Sequence, residues 1–109
     1  MRTKGSTMST FMVTYVGDGT SSFDRNYYEN SHIPFVSKTW EPFGLERTDV
    51  YYPEDSVDGQ HVVAVALCHF ADRAGLDRAL SAPESAPIDE DIANFTNVVP
   101  ITTVVSPAT

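Results

Sequence analysis

Apolar positions along the chain fall into four short β-type stretches and two longer helical ones. Residues 11–17, FMVTYVG, are rich in β-branched and aromatic residues and are closed by the turn signal GDGT. Ser21 and Asp24 are spaced like a capping box, so a helix is expected from about Ser22. Along that helix Tyr28, His32, Phe35 and Thr39 share one stripe. Pro34 is expected to kink or break it, because a proline inside a helix costs about 3 kcal/mol. Pro42 and Gly44 mark its end. LERTDVYY (45–52) alternates as a strand, and PEDSVDGQ (53–60) reads as a loop. HVVAVALCHF (61–70) is a strand that is apolar on both faces, with Val62, Ala64, Ala66, Cys68 and Phe70 on one and Val63, Val65 and Leu67 on the other. A helix follows over 71–81, then an acidic segment over 82–97 with at most a short helical turn, then a last strand over 100–106.

The order βαββαβ, with right-handed crossovers, puts both helices on one face of a four-stranded antiparallel sheet. This is the α+β, ferredoxin-like arrangement. The helices leave the other sheet face bare, yet Val63, Val65 and Leu67 are apolar there. A second copy of the chain is the simplest cover, so a homodimer with sheets packed face to face is expected.

A chain of 109 residues makes one domain, expected over 11–106 behind a flexible tail at 1–10 in which Met8 could serve as an alternative start. The tail is polar and does not resemble a secretory signal. The net charge of −8 argues against nucleic acid and against anionic membranes as partners. The longest apolar run, Val62–Leu67, is too short to span a bilayer. Cys68 is the single cysteine, which fits a cytoplasmic location. His61 and His69 share a strand face too far apart to chelate one metal, while Cys68 and His69 point to opposite faces. No cluster has zinc spacing and no glycine-rich loop could hold a nucleotide, so neither metal nor cofactor is expected.

His32 is the leading candidate for chemistry. Imidazole gives and takes protons near neutral pH, which suits general acid–base catalysis. The competing reading is a core histidine bonded to a backbone carbonyl, one that Pro34 could itself set free. Tyr28 lies one turn before His32 on the same stripe, and its hydroxyl needs a partner if buried.

FDRNYYENSHIPFVSKTWEPFGL (23–45) resembles the helical signature of the EthD family, with its N-x-H-x-P run and P-x-G-L turn. DEDIANFTNVVP (89–100) is similar to the acidic D-x-x-N-F-T run that precedes the last strand in that family. The resemblance covers roughly residues 11–105 and implies a dimeric α+β barrel with a small-molecule pocket between sheet and helices. It departs at Phe35, where a smaller aliphatic residue is expected after the proline. The family's histidine falls on His32, which favours the functional reading. Asp91 and Asn94 belong to the second motif. A carboxylate reaching His32 would orient the ring and raise its basicity. Otherwise Asp91 caps a helical turn and Asn94 satisfies loop backbone.

Tyr15, Phe35, Trp40 and Phe95, with Asn94, are candidates for contact with a flat, partly apolar ligand, although aromatics serve packing first. The resulting expectation is a cytosolic, cofactor-independent enzyme acting on an aromatic, lactone or polyketide-like molecule. His32 would move a proton, with Tyr28 and Asp91 assisting, in isomerisation, cyclisation with dehydration, or cofactor-free oxygenation. The alternative is a dimeric accessory protein that binds a hydrophobic metabolite without turnover.

Overall fold

The structure is a computed structural model that describes residues 8–55 and 61–108. Residues 1–7 of the expected tail and 56–60 of the expected loop lie outside the described residues. Strand β1 (Ser9–Val16) begins two residues earlier than the alternation suggested, and Ser9 and Thr10 are already buried. It is followed by α1 (Arg25–Tyr27), a π-helical turn (Tyr28–His32), α2 (Ile33–Trp40), β2 (Leu45–Tyr51), β3 (Val62–Phe70), α3 (Arg73–Ser81), α4 (Ala86–Asp91) and β4 (Pro100–Val105). The four strands form one antiparallel sheet in the order β2-β3-β1-β4. This is the ferredoxin-like fold. No helix among the described residues is long and apolar enough to cross a membrane.

The first helical run starts later than the capping-box spacing implied. Phe23 pairs with Thr96 as an isolated β-bridge, which keeps the chain extended through that point. Asp24 then caps the helix, its Oδ1 accepting from the Tyr27 N–H at 3.0 Å. Ser21 Oγ instead accepts from the Asp18 N–H within the preceding turn.

Pro34 neither breaks nor ends the run. It occupies the first turn of α2, directly after the π turn, where Ile33 N–H reaches back to the Tyr28 carbonyl. The wider π spacing shifts the hydrogen-bond pattern by one residue just ahead of the proline, so its missing N–H falls at a position that tolerates the loss. The shift also resets the stripe. The buried positions are Tyr28, His32, Val36 and Trp40, whereas Phe35 is 36% exposed. Gly44, at φ 101°, closes the run in the left-handed conformation that favours glycine.

On β3 the residues Ala64, Ala66, Cys68 and Phe70 face the helices and are buried. One core cluster gathers Val36, Trp40, Leu45, Phe70, Leu76, Ala79 and Ile88. The other centres on Tyr15, Tyr28, Phe95 and Val98, with Phe23 packed edge-on to Tyr15 at 5.3 Å between ring centroids. Full burial of each large side chain here contributes about 1.5–3 kcal/mol. On the opposite face, register aligns Asp49, Leu67, Met12 and Thr103 in one row and Tyr51, Val65, Thr14 and Ile101 in the next. Tyr51 and Ile101 are 57% and 58% exposed, so this face carries apolar side chains with no layer over them among the described residues.

Candidate active site

The segment between α3 and β4 holds more helix than its acidic composition suggested: a 3-10 turn at Pro83–Ser85, then α4, then another 3-10 turn at Ile92–Asn94. Its end is stitched to the entry of the first helical run. Asp24 N–H donates to the Phe95 carbonyl at 2.8 Å, Ser22 N–H to Asn97 Oδ1 at 2.9 Å, and Thr96 Oγ1 to the Ser22 carbonyl at 2.6 Å. Those three bonds hold the two sequence motifs side by side, and they bring Asp91 to His32.

His32 Nδ1 lies 2.8 Å from Asp91 Oδ2. The other carboxylate oxygen, Oδ1, accepts from the Tyr27 hydroxyl at 2.6 Å and from Asn94 Nδ2 at 2.9 Å. Burial raises the Asp91 carboxyl, but the hydrogen bonds from Tyr27, Asn94 and His32 outweigh it and hold the group below its ordinary value of 3.8. An ionised Asp91 requires a proton on Nδ1, so the neutral ring carries its lone pair on Nε2. Burial pulls His32 below its ordinary 6.5, against the opposing pull of Asp91 and then Asp89. Phe95 fixes the ring plane from one side, with centroids 4.6 Å apart, and Tyr28 stacks on it at 5.6 Å and 15°.

The ring edge opens into a cavity of about 310 Å³ between the sheet and the helices. This is at the low end of the range for small-molecule sites, about 300–1,000 Å³. Phe11, Val13, Ile33, Val36, Ile88 and Ile92 supply much of its apolar wall, while Tyr15, Tyr28, Trp40, Ser85, Asp89 and Thr102 place polar atoms around it. Among the described residues Nε2 has no hydrogen-bond partner, and His32 is part of the cavity lining. Burial drives the Tyr15 and Tyr28 hydroxyls far above the usual phenol range, so both stay protonated. The two rings pack edge to face, with centroids 5.8 Å apart, and both line the cavity. Trp40 Nε1–H is committed to Ser85 Oγ at 2.8 Å, and Ser85 in turn donates to the Ala79 carbonyl. Burial pushes the Cys68 thiol up to about 11, which makes it a poor nucleophile at neutral pH.

Of the residues singled out in the sequence, Tyr15, Tyr28, His32 and Trp40 line the cavity. Asp91 stands behind His32. Three others are placed differently. Phe35 is 36% exposed, Asn94 donates to Asp91, and Phe95 is buried beside His32; none of the three is part of this cavity's lining. Tyr27 and Asp89 are additions. Tyr27 lies one position off the stripe that carries Tyr28 and His32, and Asp89 was indistinguishable from the other surface acids. Among the described residues no group of three or more His, Cys, Asp or Glu is placed to hold a metal ion.

No family model matches the chain, and no curated protein does. Solved structures match over nearly its whole length. An EthD-like protein from Ralstonia eutropha JMP134 is 21% identical, with a TM-score of 0.80 over 96% of this chain and 96% of that one. SnoaB, a cofactor-independent oxygenase from Streptomyces nogalater, is 14% identical, with a TM-score of 0.65 over 94% and 93%. A dimeric ferredoxin-like protein of unknown function from Jannaschia sp. CCS1 is 16% identical, with a TM-score of 0.57 over 92% and 99%. The chain therefore has a ferredoxin-like α+β fold. Within that class it has the fold of the EthD-like proteins, in agreement with the motifs at 23–45 and 89–100.

Proposed function

We propose that the protein is an EthD-like, cofactor-independent enzyme that moves a proton on a small, largely apolar ring compound, with His32 as the base. The observation that supports this reading is the ring's polarity: Nδ1 is bound to Asp91 at 2.8 Å, while Nε2 has no partner among the described residues and His32 lines a largely apolar cavity. Nε2 takes a proton from a carbon or oxygen acidified by a neighbouring carbonyl. Asp91 stabilises the imidazolium that forms, and the Tyr15 hydroxyl donates to the enolate or phenolate oxygen left on the substrate. Returning the proton to another carbon completes an isomerisation. If the carbanion instead attacks a second carbonyl of the same molecule, the ring closes and the new alkoxide takes the proton. Loss of that hydroxyl with the remaining α-proton then releases water. The same carbanion can instead react with dioxygen. SnoaB supports that last branch as an analogy of fold only.

The protein acts as a homodimer in this reading. The apolar outer face carrying Met12, Val65, Leu67 and Ile101 needs a cover, and a fold neighbour is described as dimeric.

The test is conversion in air of phenols, anthrones, enol lactones and linear polyketide mimics, with products followed by mass spectrometry. Wild-type protein is expected to convert at least one of them, and His32→Ala to lose about 10²- to 10⁴-fold in rate while still folding cooperatively, as read by circular dichroism. The mass change names the branch: none for isomerisation, loss of water for cyclisation, gain of oxygen for oxygenation. Equal conversion by both proteins removes His32 as the base. Binding without conversion by either would favour the accessory role instead.

A further inference from the structure

The charges around the cavity are one-sided. Among the described residues neither lysine nor arginine lines it, and its one charged lining group besides the titratable His32 is the Asp89 carboxylate, exposed on α4. A second carboxylate, Asp91, lies immediately behind His32. Three of the described cations are engaged elsewhere: Arg25 sits over the Tyr52 ring at 4.1 Å, Arg47 pairs with Asp49, and Arg73 pairs with Asp77. Asp89 lines the same cavity as His32 and Tyr15, so its charge acts across that space. The whole chain adds a net charge of −8 to the same sign.

Resting on the reading of this cavity as a ligand site, we propose that Asp89 and the cation-free lining restrict its ligands to neutral or cationic ring compounds, and that carboxylated compounds of the same shape are excluded. A ligand carboxylate entering this space would lose water, find no Lys or Arg among the described lining residues, and face the Asp89 carboxylate. Among the described lining residues its only cationic prospect is a protonated His32, and protonating that ring would remove the base. A phenol, ketone or uncharged lactone incurs none of these costs. Tyr15 can donate to its oxygen, and an ammonium group placed toward the mouth would be attracted by Asp89.

The experiment is calorimetric titration at neutral pH of the wild-type protein with three matched probes: 2-naphthol, 2-naphthylmethylammonium and 2-naphthoate. The first two are expected to bind, with naphthoate weaker than naphthol by at least about tenfold. In Asp89→Lys that ratio should shrink severalfold. The substituted position is exposed, and an unchanged melting temperature would show that the variant folds. Naphthoate binding the wild type as tightly as naphthol would overturn the selection by charge and leave the cavity reading standing. An unchanged ratio in Asp89→Lys would overturn the role of Asp89. Failure of all three probes to bind would bring down the ligand-site reading, and this inference with it.

Discussion

At the residue scale, the site depends on the division of labour between the two oxygens of Asp91. Tyr27 and Asn94 occupy Oδ1, which leaves Oδ2 to orient the His32 ring. Replacing Asp91 with asparagine removes the charge that raises the His32 pKa and the acceptor that fixes its tautomer. Turnover is expected to fall, with the acid limb of kcat/KM moving to lower pH; a limb that stays in place would deny the coupling. The same burial links His32 to stability. The unfolded chain takes up the histidine proton at about 6.5 and the folded chain only below that, so the unfolded state binds it first as pH falls. The contribution of the neutral ring is therefore whole above 6.5 and is lost as pH drops from there toward the folded value. Urea midpoints should decline more steeply below pH 6.5 in the wild type than in His32→Gln. Cys68, buried with its thiol pushed up to about 11, should resist thiol reagents until the protein unfolds. His32, Tyr28, Tyr15 and Trp40 could be read from stripe and residue type. Tyr27 and Asn94 could not, because their role depends on a carboxylate 64 residues away for Tyr27 and on a turn conformation for Asn94.

At the element scale, the strands were legible to within two residues because alternation is a property of the strand itself. The helical phase after His32 was not. Periodicity assumes one hydrogen-bond register, and the π turn at Tyr28–His32 changes it, exchanging Phe35 for Val36 and Thr39 for Trp40 on the buried side. The sequence does contain the cause, a proline two residues after a buried histidine, but a kink and a π turn are equally compatible with it. The segment over 82–97 was under-read for a similar reason. Its helical turns are short, two of them opened by a proline in the first turn (Pro83 and Pro87), and held by contacts with distant elements. The opposite wall depends on the approach of α3 to the turn at Glu41–Phe43, where Gly75 packs so closely that an added Cβ would stand 2.1 Å from the Phe43 carbonyl oxygen. Gly75→Ala is expected to destabilise the protein by about 1–3 kcal/mol, measured by urea unfolding, despite alanine's better helix propensity. A stabilised variant would show that α3 can move without cost.

At the scale of the whole molecule, the ferredoxin-like topology followed from element order alone, since βαββαβ with right-handed crossovers leaves one arrangement of the sheet. The bare outer face also followed, from the two apolar sides of β3. Sedimentation at micromolar concentration should show a dimer. Leu67→Asp should weaken it by at least about tenfold, because the new carboxylate would be desolvated at the interface. A monomeric wild type would leave the outer face without its proposed cover. The cavity belongs to the same scale. It exists because the α4 segment is tied back to the first helix, and that tie turns two separate sequence motifs into a histidine with one guarded and one open nitrogen.

That asymmetry can be measured without knowing the substrate. An NMR titration of ¹⁵N-labelled protein, with His32 assigned against His61 and His69 by substitution, reports both the tautomer and the protonation midpoint. If Nε2 is the base, His32 should be the Nδ1-protonated neutral ring at pH 7, with a midpoint below 6.5 that falls further in Asp91→Asn. An Nε2-protonated ring, or a midpoint above 6.5 that leaves it substantially charged at neutral pH, would contradict the assignment of His32 as the base.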